Sequence, residues 1–409
     1  MAAMSASSPP PPGTPTLAQV VRALDGRYPP ATAQSWDSVG LVVGDPEQAV
    51  RRVLFAVDPV AAVVDEALEW GADLVVTHHP LFLRPVHSVA VTTFKGSVVH
   101  RLLRGGAALY NAHTNADAAA DGVADALAAA VGLVDTRPLV ADPGPALDKH
   151  VVFVPVGGAE QLVDAMAAAG AGALGEYSRC AWSSTGEGTF VPSGDAHPAV
   201  GAPGERAHVV EARVEMVATR DRRAAVVAAM RSAHPYEEPA FDVLELAALP
   251  GGTGLGRVGR LPTPTTLDAF ARAVAAALPA TPQGVRYAGA SDLRVESVAV
   301  LGGSGDSELD AVRAAGVDVY VTSDLRHHPA SEQRERALFE SPTGVPALVD
   351  TAHFASEWPW LRRAAAALER DLGAVGATVS TRVSTLRTDP WTARVDGPAP
   401  LAGASEGDS

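Results

Sequence analysis

The chain has 409 residues, of which 47% are hydrophobic and 19% are charged, and its formal net charge is −15. This length predicts two or more domains, and no apolar run reaches the roughly 20 residues of a membrane-spanning helix. The negative charge argues against non-specific nucleic-acid binding, and the single cysteine, Cys180, excludes an intrachain disulfide or a thiolate zinc site and fits a reducing cytoplasm.

Both ends of the chain are predicted to be disordered tails. Residues 1–16 are small and Pro-rich and lack the basic start and apolar stretch of a secretory signal. Residues 387–409 are rich in Pro, Gly, Ser and Asp. The sequence between the tails is predicted to form a first α/β lobe, an inserted α+β domain and a second α/β lobe, over residues 17–147, 148–249 and 250–386.

The first lobe is predicted from apolar strands that alternate with helices. A strand over residues 52–58 leads to a helix over 61–70 and a strand over 74–77, and a further helix precedes a third strand over 107–111. This alternation indicates a parallel sheet covered on both faces. Ligands bind such sheets beyond the carboxyl ends of the strands, so the polar residues that follow each strand are the candidates for function.

The pattern repeats near the end of the chain, after a middle part of different texture. The middle part is predicted to contain strands over 151–156 and 209–217 and a helix over 159–169. The repeat has a strand over residues 295–301, a helix over 307–315, a second strand over 319–322 and a third strand over 346–350, in the same order as the first lobe. The sequence therefore predicts two related α/β lobes with an inserted α+β domain.

Two adjacent histidines, His78 and His79, follow the strand over 74–77. Neighbouring strand residues point to opposite faces, so both imidazoles can face one site only where the strand ends. Imidazole is a common ligand for divalent metal ions. The alternative is that one histidine packs in the core and the other is solvated.

Asp117 follows the third strand of the first lobe and offers a carboxylate ligand, which His113 could help to orient. The alternative is that Asp117 caps a helix predicted over residues 118–131. In the second lobe, His353 and Glu357 stand four residues apart, which places them on one face of a helical turn.

Pro359 restricts the second-lobe pair to a helix entrance, because proline is tolerated only in the first turn. The alternative is a surface helix capped by Ser356.

Three histidines and two carboxylates suit two metal ions per subunit, since a carboxylate can bridge ions about 3.5–4 Å apart. Ligands of this kind suit zinc, manganese, iron or nickel.

In this order, these segments resemble the NIF-three-like dinuclear-metal proteins, also described as GTP cyclohydrolase 1 type 2 homologues. The resemblance lies in residues 36–44, 77–82, 113–117, 322–328 and 353–357. It implies a toroidal homohexamer with metal sites facing an internal cavity, and five metal ligands with Glu357 as the bridge: His78, His79, Asp117, His353 and Glu357. Residues 170–172 and 234–239 resemble a PII/CutA-like middle domain, which implies a ferredoxin-like fold.

The chain departs from the pattern of that family outside the five ligands. Where the family usually has Asn, Leu, Lys, Tyr and Gly, this chain has, in the same order, Ser38, Ala116, Arg326, Phe354 and Ala352. These changes affect the shape of the pocket and therefore the substrate.

The resemblance implies a metal-dependent hydrolase acting on a purine nucleotide or a related compound. His328 is the predicted general acid or base, because histidine titrates near neutral pH; alternatively it only lines the pocket or contacts a neighbouring subunit. Arg326, Asp324 and the loop over residues 302–305 are predicted to hold substrate. The alternative function is a non-catalytic hexamer that stores, delivers or senses metal. Trp36 either shapes the entrance of the pocket or packs in the core, and core packing is the expected role.

Overall fold

The computed structural model describes residues 13–397. Within this range the chain divides into two compact units, one formed by residues 13–142 together with 252–397, and one by residues 143–251. Much of both predicted tails lies outside the described residues. No helix within the described range is long and apolar enough to cross a membrane.

The strands, in chain order, are β1 (Gly40–Val43), β2 (Arg52–Ala56), β3 (Leu74–Thr77), β4 (Ala108–Asn111), β5 (Val134–Pro143), β6 (Leu147–Pro155), β7 (Ala181–Phe190), β8 (Ala207–Thr219), β9 (Phe241–Glu245), β10 (Pro250–Thr266), β11 (Arg286–Ala288), β12 (Arg294–Ser304), β13 (Val319–Ser323), β14 (Ala347–Thr351) and β15 (Ser380–Val383). The helices are α1 (Leu17–Arg27), α2 (Ala61–Trp70), α3 (Phe94–Gly105), α4 (Thr114–Ala118), α5 (Val123–Ala130), α6 (Ala159–Ala168), α7 (Arg223–Ala233), α8 (Leu267–Ala277), α9 (Leu309–Ala315), α10 (His327–Glu340) and α11 (His353–Ala374).

The first lobe is built on a sheet with the strand order β1-β4-β3-β2-β15. Strands β2, β3 and β4 run parallel, and β1 pairs antiparallel with β4. Every residue of β3 and β4 is buried, which explains their continuous apolar sequence. The carboxyl ends of β3 and β4 therefore meet at one edge of the sheet.

The second lobe repeats this arrangement in a sheet of order β11-β14-β13-β12-β10-β5. Strands β12, β13 and β14 run parallel, and β11 pairs antiparallel with β14, as β1 does with β4. The prediction of two related α/β lobes is confirmed.

Helix α11 joins the two lobes. It begins directly after β14 of the second lobe, but its apolar face packs on the first lobe, where Trp360 and Leu368 share a core with Phe55 and Tyr110. The chain then adds β15 to the edge of the first sheet, parallel to β2. The first lobe is thus completed by residues that follow the second lobe in the sequence.

The unit over residues 143–251 is an α+β domain, as predicted. Its antiparallel sheet has the order β7-β8-β6-β9. Helices α6 and α7 contact each other and share a core with the sheet, in which Met166 and Met230 pack with Val152 and Val214.

Candidate metal centre

The strand ends of both lobes bring together the five residues predicted as metal ligands. His78 and His79 follow β3, Asp117 lies in α4 just beyond β4, and His353 and Glu357 form the first turn of α11 beyond β14. Their positions agree with the prediction that all of these motifs lie together at the carboxyl ends of parallel strands.

His78 is fully buried, and its ring is oriented from two sides. Its Nδ1 lies 2.9 Å from the carbonyl oxygen of Ala112, and its ring packs edge-on against Trp360 at 5.5 Å between centroids. A carbonyl can only accept, so Nδ1 carries the proton and Nε2 presents a free lone pair. That Nε2 has no hydrogen-bond partner among residues 13–397.

His79 and His353 are oriented in the same way by carboxylates. Nδ1 of His79 donates to Asp58 at 2.7 Å, and Nδ1 of His353 donates to Asp324 at 2.7 Å. Both Nε2 atoms are therefore free to bind a metal, and they lie 3.2 Å apart. A carboxylate that fixes the tautomer of a ligand histidine is a common feature of metal sites.

Glu357 lies at the centre of this group, and its side chain is only 3% exposed. Its Oε1 is 2.9 Å from Nε2 of His353 and 3.4 Å from Nε2 of His78, while its Oε2 is 3.2 Å from Nε2 of His79. Asp117 is more distant, with Oδ1 3.7 Å from Nε2 of His78. The two carboxylate oxygens thus face different imidazoles.

These separations fit a shared metal ion. Two nitrogen or oxygen atoms that bind one tetrahedral ion at about 2.1 Å are about 3.4 Å apart. In two groups of three residues the potential ligand atoms all lie within 4.8 Å of one another: His78, His79 and His113 form one group, and His79, His353 and Glu357 the other. Oε2 of Glu357 makes no hydrogen bond with any residue of the described range. A buried carboxylate oxygen without a partner is costly, so the residues fit a bound cation.

His113 belongs to this cluster as well, although its position in the sequence predicts only an orienting role. Its Nδ1 donates to Asp37 at 2.9 Å, which leaves Nε2 free. Asp37 also accepts hydrogen bonds from the backbone and hydroxyl of Thr114. Burial opposes ionisation of Asp37, but its bonds to His113 and Thr114 outweigh burial and hold its pKa well below the usual range.

The charges of the cluster are strongly interdependent. Burial opposes ionisation of Glu357, but the surrounding imidazoles outweigh it and lower the pKa of Glu357. Burial disfavours a charged His79, yet the carboxylates of Glu357 and Asp58 raise its pKa to about 10. Glu357 also raises the pKa of His353 to about 11. Burial, followed by the charge of Glu357, raises the pKa of Asp117 to about 7.

Gly303 forms one wall of the cluster. Its φ is +72°, and a Cβ at this position would lie 2.7 Å from Oε1 of Glu357 and 3.3 Å from Nε2 of His353. Its amide donates to Ser356, and its carbonyl accepts from Ser323. The glycine-rich loop predicted to hold phosphate therefore also provides the space that the metal ligands occupy.

A cavity of about 380 Å³ opens beside the cluster. Its lining includes the candidate ligands Asp117, His353 and Glu357, together with Trp36 and Glu308. Trp36 is 59% exposed, so the expectation that it packs in the core is wrong. Its ring lies edge-on to His113, 5.9 Å away between centroids.

The residues predicted to act on substrate take different positions. Asp324 contacts His353, Arg326 pairs with Asp306, and His328 is an exposed residue at the start of α10. Of these, none is among the residues that line the 380 Å³ cavity. Their roles with substrate stay predictions.

Local predictions around the ligands differ from the structure in three ways. The helix predicted over 118–131 is two helices, α4 and α5, and Asp117 lies inside α4 instead of capping a helix. Helix α11 begins at His353 with Ala352 as its N-cap, so Ser356 is not the cap. Pro359 is the seventh residue of this helix and lies beyond its first turn. The buried contacts of α11 with the first lobe extend the helix past the position that proline disfavours.

No local sequence pattern predicts that Asp37 and Asp58 orient His113 and His79. Asp58 lies 21 residues before His79, and Asp37 lies 76 residues before His113. Asp58 does stand at the end of β2, which is the position where functional residues of such sheets gather. That position was the only available signal.

Comparison with known proteins places these features in a family. A model of the Duf34/NIF3 (NGG1p interacting factor 3) family matches residues 15–390. A Mycobacterium tuberculosis protein described as a GTP cyclohydrolase 1 type 2 homolog is 52% identical over 376 residues, which cover 92% of this chain and 96% of the relative. A Mycobacterium leprae protein of the same description is 50% identical, with coverages of 92% and 94%.

The fold is also found in a solved structure. The crystal structure of a Bacillus cereus protein related to NIF3 superposes with a TM-score of 0.69 at 35% sequence identity. The match covers 93% of this chain and 99% of the other. The similarity therefore includes the α/β lobes and the inserted domain together.

Proposed function

We propose, from the premise that this chain belongs to the Duf34/NIF3 family, that it binds two divalent metal ions and uses them to hydrolyse a nucleotide or a related compound. The proposed ligands are His78, His79, Asp117, His353 and Glu357. The observation that carries the proposal is the meeting of three imidazole Nε2 atoms around a buried carboxylate whose Oε2 has no hydrogen-bond partner within residues 13–397.

Glu357 is the proposed bridge between the ions. Its Oε1 faces His353 and His78, and its Oε2 faces His79, so each oxygen has its own set of neighbouring ligands. Divalent ions in such a site lower the pKa of water and polarise the bond under attack. The role of the protein is to fix the ligands, which Asp58 and Asp324 do through Nδ1 of His79 and His353.

The lining of the adjoining cavity favours a planar substrate. The exposed ring of Trp36 at its lining offers a surface for stacking a flat heterocycle, and Ser307 and Glu308 offer hydrogen-bonding groups. The relatives described as GTP cyclohydrolase 1 type 2 homologs make a purine nucleotide the first substrate class to test.

The test combines metal content with turnover. Purified protein is expected to hold two ions per chain by elemental analysis, with anomalous scattering at the five ligands, and to convert GTP or another nucleotide in a panel. Glu357→Ala should lose both ions and turnover. Glu369→Ala, in the same helix but bonded to Thr381, is the matched control. Absence of metal at these residues would overturn the proposal, and metal binding without turnover would overturn its hydrolase part.

One observation favours the metal-handling alternative. His328, the predicted general acid or base, does not line the cavity beside the cluster. A protein that stores or delivers metal should exchange its ions with an external chelator without losing its fold, and should turn over no nucleotide. Ions that resist exchange while a nucleotide is hydrolysed would exclude this alternative.

The assembly is proposed on the resemblance to the family, as a homohexamer. Light scattering coupled to size-exclusion chromatography should give six chain masses. A monomer or dimer mass across a range of protein concentrations would contradict the hexamer, and the metal proposal would stand independently.

A further inference from the structure

The inserted domain has a cavity of its own, with a volume of about 640 Å³. Strands β7 and β8 and the loops over residues 192–199 and 236–240 contribute its lining. This volume lies within the range of sites for small molecules. All of its lining residues belong to the unit over residues 143–251.

One wall of the cavity is a loop held in a fixed conformation by His234. The amide of Tyr236 donates to Nδ1 of His234 at 3.0 Å. Nε2 of the same ring must then carry the proton, and it lies 2.9 Å from the carbonyl oxygen of Phe153, to which it donates. These two bonds position Tyr236, whose ring packs edge-on against Phe190 at 5.7 Å between centroids. The motif over residues 234–239 therefore builds an aromatic wall.

The hydroxyl of Tyr236 is buried and forms no well-directed hydrogen bond among residues 13–397, although the Glu211 carboxylate lies near it. Burial and the neighbouring Glu211 carboxylate raise the pKa of Tyr236 to about 12, so the hydroxyl is neutral. Buried polar atoms in folded proteins normally have partners. This hydroxyl is therefore available to a ligand in the cavity.

Glu211 supplies negative charge beside this hydroxyl. It lines the cavity, and the cations of the neighbouring strands, Lys149 and Arg213, pair with Glu215 instead. Its carboxylate lies against Gly188, where any Cβ would overlap it, so the strand opposite leaves room for this side chain.

The other charged residues of the lining have their own partners. Glu187 pairs with His208, Glu238 with Arg231, and Arg213 with Glu215. The lining holds four carboxylates, Glu187, Glu211, Glu237 and Glu238, and one guanidinium, that of Arg213. The resulting potential is negative, which disfavours phosphate or carboxylate ligands and favours cations.

We propose that this cavity binds a small organic cation with an apolar or aromatic body. Its ammonium group pairs with Glu211 and donates a hydrogen bond to the hydroxyl of Tyr236. Its apolar body lies against the rings of Phe190 and Tyr236, where aromatic faces attract positive charge and the apolar surface is removed from water. The site shares no residue with the candidate metal centre and needs no metal.

A charge series on one aromatic body tests the proposal on the full chain. The probes are 2-phenylethylamine, the neutral 2-phenylethanol and the anionic phenylacetate, titrated by calorimetry and by ligand-observed NMR. The amine should bind saturably, the alcohol at least about tenfold more weakly, and phenylacetate not at all. Equal binding of amine and alcohol, or no saturable binding of the amine up to about 10 mM, would overturn the proposal.

Variants locate the site. Glu211→Gln should weaken the amine about tenfold and leave the alcohol unchanged, and Tyr236→Phe should weaken the amine to a smaller extent. Glu245→Gln, in the same domain but outside the cavity lining and paired with Arg223, is the matched control. Unchanged binding of the amine in both Glu211→Gln and Tyr236→Phe would show that it binds elsewhere. The probe series on the unaltered chain keeps the test decisive if Glu211→Gln fails to fold.

Discussion

Oδ1 of Asp58 lies 2.7 Å from Nδ1 of His79, so a carboxylate at the end of one parallel strand fixes the tautomer of a histidine at the end of the next. Asp324 has the same relationship to His353 in the second lobe, also at 2.7 Å. Both lobes therefore use a carboxylate–imidazole pair, although the strands are not equivalent: β2 and β3 carry the first pair, and β13 and β14, the counterparts of β3 and β4, carry the second. This arrangement presents Nε2 of both rings to the candidate metal centre.

Asp58→Asn should weaken metal binding while leaving the fold intact. The amide is neutral and can also present its NH₂ group to the ring, so it holds His79 less firmly in the Nδ1–H tautomer. Loss of such a partner lowers metal affinity about 10–100-fold. Competition with a chromophoric chelator measures the change. Asp65→Asn, at an exposed ion pair with Arg101, is the control, and equal affinities in the two variants would exclude the orienting role.

Thr388 extends this arrangement into the predicted C-terminal tail. Its hydroxyl donates a hydrogen bond to Oδ2 of Asp58. Thr388→Val should lower metal affinity less than Asp58→Asn does, and Thr388→Ser should restore it. Thr381→Val removes a similar hydroxyl–carboxylate bond, to Glu369 at 2.7 Å, and should have no effect on the metal. Absorption spectra of the cobalt-substituted proteins would show whether Thr388→Val alters ligand geometry, and an unchanged spectrum and affinity would refute this role.

Gly303→Ala should impair the metal site more than the fold. The added Cβ would lie 2.7 Å from Oε1 of Glu357, and the φ of +72° is unfavourable for alanine. Gly316→Ala is matched for the backbone, because its φ is +65° and its Cβ would meet nothing within 4 Å. Both should lose about 1–2 kcal/mol of stability from the backbone, measured by urea unfolding, but only Gly303→Ala should lose metal. Metal loss in both variants would contradict the steric explanation.

Metal binding should release protons and strengthen as pH rises. Without metal, the carboxylate environment raises the pKa of His79 to about 10 and that of His353 to about 11, although burial of His79 acts in the opposite direction. Without metal, protonation at Nε2 is therefore favoured within this pair of rings, and a metal ion must displace the proton. Calorimetry in buffers of different ionisation enthalpy should show a net release of protons. An affinity that falls from pH 6 to pH 8 would contradict the sign of this linkage.

Arg257 should be important for the stability of the unit that contains both lobes. Its side chain is 3% exposed and forms two hydrogen bonds with Asp125, at 2.7 and 2.8 Å. It also donates to the carbonyl of Ala119 at 2.9 Å. Arg257→Met leaves Asp125 without its partner and should cost about 3–5 kcal/mol. Arg260→Met, at a side chain that is 63% exposed, should change the urea midpoint little, and equal effects would show that burial is not the cause.

The sequence was most informative where one physical rule determined the structure. Buried parallel strands require continuous apolar residues, so the ends of β3 and β14 and the ligands beyond them could be located. The length of α11 could not, because contacts of Trp360 with the first lobe override the local effect of Pro359. The positions of Asp58 and Thr388 relative to His79 depend on pairing across 330 residues, which no local pattern specifies.

The position of β15 has a consequence for the order of events during synthesis. The first sheet receives its edge strand from Ser380–Val383, and two of the five candidate ligands lie in α11, which begins at His353. A ribosome must therefore translate nearly the whole chain before the first lobe can close and the ligands can assemble. Nascent chains stalled before residue 353 would have His78, His79 and Asp117 but neither His353 nor Glu357, so the proposed metal site can be completed only late in synthesis.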